Sequence, residues 1–137
     1  MADKIFLHVN PLNIDDDIFT LSADESHHAK HVLRLKLGHK IWLIDGEGTA
    51  YTGEITSLNG SAKGKIHETF SGEGENPWYL HLAIAVLKKS RFEILIEKAT
   101  ELGVNKISII RMDRCEKQVI QALRLKKIIL SAAKQCG

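Results

Sequence analysis

Residues 79–110 decide the fold. Tyr79-Leu80-His81-Leu82-Ala83-Ile84-Ala85-Val86-Leu87 is a near-continuous apolar run, the pattern of a strand buried on both faces. Lys88-Lys89-Ser90-Arg91 ends it, and a helical period replaces the run. Phe92, Leu95, Ile96 and Ala99 fall at i, i+3, i+4 and i+7, one apolar stripe. Ser90 and Glu93 have capping-box spacing at its start. Gly103 stands where a left-handed residue ends a helix. Val104 to Ile110, rich in isoleucine, is the next strand. Strand, helix and strand in this order predict a right-handed crossover and a parallel pair.

A last helix is expected from near Lys117. Leu125, Ile128, Ile129, Ala132, Ala133 and Cys136 would line its apolar face, with Arg124, Lys126, Lys127 and Lys134 outside. Two parallel strands are too few for a sheet that needs both faces covered. The α/β part is therefore expected to be incomplete by itself, either a truncated sequence or one that pairs with another chain.

The period is different before residue 72. Ile5–Val9, Ile18–Leu21, Lys40–Ile44, Ala50–Ile55 and Lys63–His67 read as short strands. Asp45-Gly46-Glu47-Gly48 reads as the turn of a hairpin. A helix over Ala23 to Leu33, capped by Ser22 or Asp24, interrupts them. This pattern predicts a small β-barrel over 1–72. A flexible polar linker, Ser71 to Pro77, would join it to an α/β part over 77–137.

The chain has 137 residues, 44% hydrophobic and 26% charged, which are globular proportions. Its formal net charge of +2 hides an asymmetry. Residues 1–74 hold 7 Lys and Arg against 11 Asp and Glu, whereas residues 75–137 hold 12 against 6. A basic second part favours an anionic partner such as nucleic acid, although a solvated basic helix face has the same composition. No apolar run approaches a membrane span, and no secretory leader pattern opens the chain. Two cysteines, Cys115 and Cys136, make neither a disulfide framework nor a zinc pair. The expectation is a soluble, reduced, cytoplasmic protein.

His27 and His31 are four apart on a helix, but no further ligand completes a metal set, so no metal is expected. His28-Ala29-Lys30-His31-Val32-Leu33-Arg34-Leu35-Lys36 is a polar-basic run that could track a phosphate backbone or simply be solvated surface. Lys88, Lys89 and Arg91 follow the first parallel strand, and Arg111 and Arg114 follow the second. They should share the carboxyl edge of the sheet, beside a helix N-terminus, where open α/β sheets bind anions. Lys98 and Glu101 have the spacing of a surface ion pair. Glycine-rich dinucleotide, P-loop and nucleophile-elbow motifs are absent.

Several blocks in order resemble the RsmE family, bacterial 16S rRNA uridine-N3 methyltransferases. They are His27-His28 with Val32 to Gly38; Leu43 to Gly48 with Tyr51; Leu87 to Glu93; Glu97 to Val104; Arg114-Cys115; and Ala133 to Gly137. The most specific block is Lys98-Ala99-Thr100-Glu101-Leu102-Gly103. The resemblance covers essentially the whole chain. It implies a PUA-like β-barrel followed by the first part of a SPOUT-type α/β domain. It implies methyl transfer from S-adenosylmethionine to N3 of a uridine in the small-subunit rRNA, in a homodimer. The family's later Gly-Pro-Glu-Gly-Gly and Arg-Glu-Thr-Ala segments, which form the knot and most of the cofactor pocket, are not in this sequence. The family's usual N-terminal arginine is replaced by Lys4, which lacks bidentate phosphate geometry.

The resulting expectation is that Lys4, His28, Arg34 and Lys36 grip RNA backbone while Lys88, Arg91, Arg111 and Arg114 border the substrate pocket. Gln135 is the one candidate for cofactor contact, and no catalytic base is assigned. The alternatives are a non-catalytic RNA-binding module and a small-molecule phosphate-binding protein.

Overall fold

The computed structural model describes residues 4–115 and 119–136. They fall into two compact units that divide between Glu73 and Gly74.

The first unit is a six-stranded mixed sheet curved into a half-barrel. Its strands are β1 (Phe6–His8), β2 (Ile14–Asp15), β3 (Ile18–Thr20), β4 (Lys40–Ile44), β5 (Thr49–Ser57) and β6 (Lys63–Ser71). The spatial order is β1-β4-β5-β6-β3-β2. β1 runs parallel to β4, and the remaining pairs are antiparallel. Alternation explains the core: in β4, Ile41 and Leu43 are buried while Lys40, Trp42 and Ile44 are not. Leu7, Phe19, Leu21, Ile55 and Ile66 join them.

The expected hairpin is present. Asp45, itself buried, accepts hydrogen bonds at Oδ1 from the N–H groups of Glu47 (2.7 Å) and Thr49 (3.0 Å). This side-chain turn lets Gly46 and Gly48 take positive φ between β4 and β5.

The helix after β3 covers nearly the expected span but changes type partway. Ser22 caps α1 (Ala23–His27), accepting from the N–H of Glu25 at 3.2 Å. The chain then widens into a π-turn over His28–Val32. Ser26 fastens this segment to the sheet, accepting from the N–H of Ala62 at 2.9 Å and donating to the carbonyl of Leu21 at 3.3 Å.

The second unit holds β7 (His81–Ala85), α2 (Lys89–Glu101), β8 (Lys106–Ile110) and α3 (Ala122–Cys136). β7 and β8 are parallel, with His81 opposite Lys106 and Ala85 opposite Ile110. α2 buries Phe92, Ile96 and Ala99. It ends in a Schellman motif: Val104 N–H donates to Ala99 at 3.0 Å and Gly103 N–H to Thr100 at 2.9 Å, with Gly103 at φ +72°. Asn76 Nδ2 donates to the carbonyl of Leu102 at 2.8 Å, and Asn105 Nδ2 to Glu75 at 3.3 Å. The expected flexible linker is thus tied, at Glu75 and Asn76, to the second unit.

Three expectations fail here. The helix N-cap is Lys88, with no side-chain cap bond, so Ser90 and Glu93 form no capping box. Glu93 is bound instead by Arg124 of α3, whose Nη2 donates to it at 2.8 Å alongside a second bond from Nε. The run Tyr79 to Leu87 is not buried on both faces. Only Val86 is buried, and Tyr79, 71% exposed, lies outside the strand, which is confined to His81–Ala85; two strands form too small a sheet to have both faces covered. Finally, α3 starts at Ala122; Lys117 lies outside the described residues, and residues 119–121 are not helical. Its buried face is also shifted, since Ile129 and Cys136 are exposed and Lys134 is half-buried. Among the described residues no helix is long and apolar enough to cross a membrane.

Candidate nucleic-acid interface

β7 and β8 end side by side at Ala85 and Ile110. The segments leaving them, with the first turn of α2, line an open cleft of about 800 Å³. Lys88, Arg91, Arg111 and Arg114 lie on its wall, opposed among the described charged residues by Asp113. The first turn of α2 contains no acidic residue, and its N-terminal N–H groups have no intrahelical acceptor. Positive side chains and a helix N-terminus thus face one space, which suits a phosphate or a developing anion.

Four of the five cations expected at this edge converge. Lys89 does not; it lines a small separate pocket between α2 and α3 with Phe92, Glu93 and Arg124. One helical step turns it away from Lys88 and Arg91. Sequence reasoning missed Asp113 and Cys115 as wall residues. Their position just after β8 was the available signal. Cys115 Sγ accepts from the N–H of Met112 at 3.3 Å, shaping that wall.

The first-unit candidates are more dispersed. Lys4 lies over the ring of Trp42, 4.1 Å from its centroid, so its charge is engaged with an aromatic face. Trp42 in turn stacks on Phe70 at 5.3 Å and meets Phe6 at 5.9 Å. His28 is half-buried and opens the π-turn, its carbonyl accepting from Leu33 N–H at 2.9 Å. Arg34 and Lys36 are exposed. Arg34 has φ +52°, a left-handed conformation that costs a non-glycine residue about 1–2 kcal/mol. Leu35 N–H donating to Ala29 at 2.9 Å holds the chain in that bend. Lys36 N–H donates to His39 Nδ1 at 3.1 Å in the turn that follows.

Gln135 is exposed in the last turn of α3. Tyr51, near the Asp45 turn, has its phenol raised above the ordinary tyrosine value, first by burial and then by the charge of Asp45. Among the described residues no group of three His, Cys, Asp or Glu side chains could hold a metal ion.

Comparison with known proteins follows the two units. Residues 21–66 match an RNA methyltransferase PUA domain family, and residues 74–137 match an RNA methyltransferase domain family. The chain is 33% identical over 132 residues to ribosomal RNA small subunit methyltransferase E of a Synechocystis species, covering 94% of this chain and 43% of that protein. It is 26% identical to the same-named protein of Rickettsia conorii, covering 94% and 53%. Ribosomal RNA small subunit methyltransferase E of Neisseria gonorrhoeae, solved bound to S-adenosyl methionine, superposes with a TM-score of 0.83 at 26% identity, covering 97% of this chain and 56% of that one. A predicted RNA methyltransferase of Thermotoga maritima superposes with a TM-score of 0.78 at 30% identity, covering 96% and 59%. The chain spans about half the length of these relatives. With both units matched in order, the chain is similar along nearly its whole length to the ribosomal RNA small subunit methyltransferase E (RsmE) family.

Proposed function

We propose that this chain supplies the RNA-binding part of an S-adenosylmethionine-dependent methyltransferase acting on N3 of a uridine in the 16S rRNA of the small ribosomal subunit. The observation that carries this reading is the cleft where Lys88, Arg91, Arg111 and Arg114 converge at the carboxyl ends of the parallel strands. The relatives are named ribosomal RNA methyltransferases along both units, which favours this reading over a non-catalytic RNA-binding module. The proposal includes a cytoplasmic homodimer with domains at 1–72 and 77–137.

The chemistry asks two things of this cleft. Uridine N3 carries a proton and sits on the pairing edge, so the base must be unpaired before it can react. Loss of that proton leaves negative charge on O2, N3 and O4. A guanidinium from Arg91, Arg111 or Arg114 beside O2 or O4 stabilises that charge, and the remaining cations hold flanking phosphates. On the first unit, Arg34, Lys36 and His28 take further backbone, and Lys4 does so only by leaving Trp42.

S-adenosylmethionine supplies the methyl group. The described cleft residues do not fit it: its sulfonium is cationic, and the cleft wall sets four cations against one carboxylate. The exposed Gln135 supplies one amide and no enclosure. The residues described are therefore assigned to RNA, and the donor to none of them.

The test is nucleoside mass spectrometry of 16S rRNA from cells with the gene deleted. Loss of N3-methyluridine, restored by the wild-type gene and not by R111A/R114A, is the expected result. An unchanged N3-methyluridine content in the deletion strain overturns the proposal.

A further inference from the structure

The first unit is acidic, yet one stretch of it has no acid at all. Between Ser26 and Ile44 there is no Asp or Glu, while Lys30, Arg34, Lys36 and Lys40 alternate with His27, His28, His31 and His39. Half of the cationic capacity of this stretch is therefore imidazole. Two of these rings meet: His27 and His31 have centroids 4.6 Å apart, tilted by 39°. Both side chains are exposed, so neither serves the core. The chain between them enters the π-turn at His28, and the strained Arg34 follows. Wide helical turns and left-handed non-glycine residues cluster at functional positions.

We propose that His27 and His31 together hold one RNA phosphodiester, so that the first unit grips RNA more tightly as pH falls. The inference rests on the RNA-binding reading above. Each neutral imidazole donates one N–H, and each imidazolium donates two and adds a charge. Adjacent imidazolium rings repel each other, and a bound phosphate oxygen between them relieves that repulsion. Imidazole as a class changes charge between about pH 5 and 8.

The surrounding charges allow it. On α1, Asp24 lies one turn before His27, and Glu25 is buried and accepts from the N–H of His8 at 3.1 Å. Lys30 Nζ donates to the carbonyl of Gly60, and the turn it reaches, Leu58 to Ala62, has no charged side chain. A metal ion is a poorer occupant, since no third ligand stands among the described residues.

The test is fluorescence anisotropy of the full chain on an in-vitro transcript of small-subunit rRNA, at fixed salt. The wild type should bind about tenfold more tightly at about pH 6 than at about pH 8. H27Q/H31Q should bind more weakly than wild type, most clearly at about pH 6, and lose most of that response. H39Q, whose ring accepts a backbone bond within the Lys36–His39 turn, should keep the response. A wild-type response in H27Q/H31Q, its loss in H39Q alone, or pH-independent wild-type binding overturns the inference and leaves the RNA reading standing. No RNA binding at any pH overturns both.

Discussion

The ring of Phe19 occupies the space that a side chain on Gly64 would need. A Cβ built on Gly64 would lie 2.5 Å from Phe19 Cε1 and closer still to Cζ and to the carbonyl oxygen of Glu54. Gly53, across the β5–β6 ladder, is also closed, with 2.5 Å to the carbonyl oxygen of Lys65 and 3.3 Å to Phe19 Cε1. Two glycines thus let the largest core side chain of the half-barrel sit flat against its own sheet. Gly64→Ala should therefore destabilise the first unit by about 3 kcal/mol in urea unfolding. Gly60→Ala, surrounded by open space and strained only by φ +65°, should lose about 1 kcal/mol. Adding Phe19→Leu to Gly64→Ala should not restore stability, because the backbone clash with Glu54 remains.

How much of this was legible follows from what each feature depends on. The β4–β5 hairpin and the end of α2 were legible because Asp45 and Gly103 act on backbone within a few residues. The Ser90–Glu93 capping box failed because Glu93 has a charged partner 31 positions away, which no local pattern shows. The convergence of Lys88, Arg91, Arg111 and Arg114 followed from strand order, but the divergence of Lys89 required the helix phase. Arg34 at positive φ gave no signal, since nothing local to an arginine favours that conformation.

The Glu93–Arg124 pair joins α2 to α3, and Arg124 holds the Glu93 carboxyl below the usual glutamate range. A lowered carboxyl favours the folded state above the ordinary value of about 4.3, and the contribution fades as pH falls through the lowered value. Wild type should therefore unfold at higher urea than E93Q near neutrality, and the two midpoints should merge in acid. The gap should also narrow at high salt, since both side chains are partly exposed. A gap that persists in acid would show that the glutamate acts by packing.

Arg111→Ala should weaken binding to a small-subunit rRNA transcript and make its salt dependence shallower by about 0.7 in the log–log slope, the loss of one single-strand phosphate contact. Arg91→Ala should behave alike. Lys89→Ala removes the same charge from the other side of α2, in the separate pocket, and should leave the slope unchanged. Equal effects of Lys89 and Arg111 would mean that net charge, and not the cleft, recruits RNA.

Asp45 is the residue whose neutral replacements separate shape from charge. Asp45→Asn keeps an oxygen for the N–H groups of Glu47 and Thr49, whereas Asp45→Ala leaves both without it. The alanine variant should lose about 2 kcal/mol and the asparagine variant clearly less. Both remove the negative charge that, after burial, raises the Tyr51 phenol. Ultraviolet titration should then find Tyr51 ionising closer to about pH 10 in Asp45→Asn, though still above it, because burial is the larger cause. The sign for stability follows. A raised phenol leaves the fold fully stable below about pH 10 and weakens it as pH climbs through the raised value. Asp45→Asn should therefore show a shallower alkaline loss than wild type, even though it starts from a lower stability at neutral pH. If its alkaline loss is instead as steep as in wild type, the Asp45 charge does not reach the phenol, and burial alone sets it.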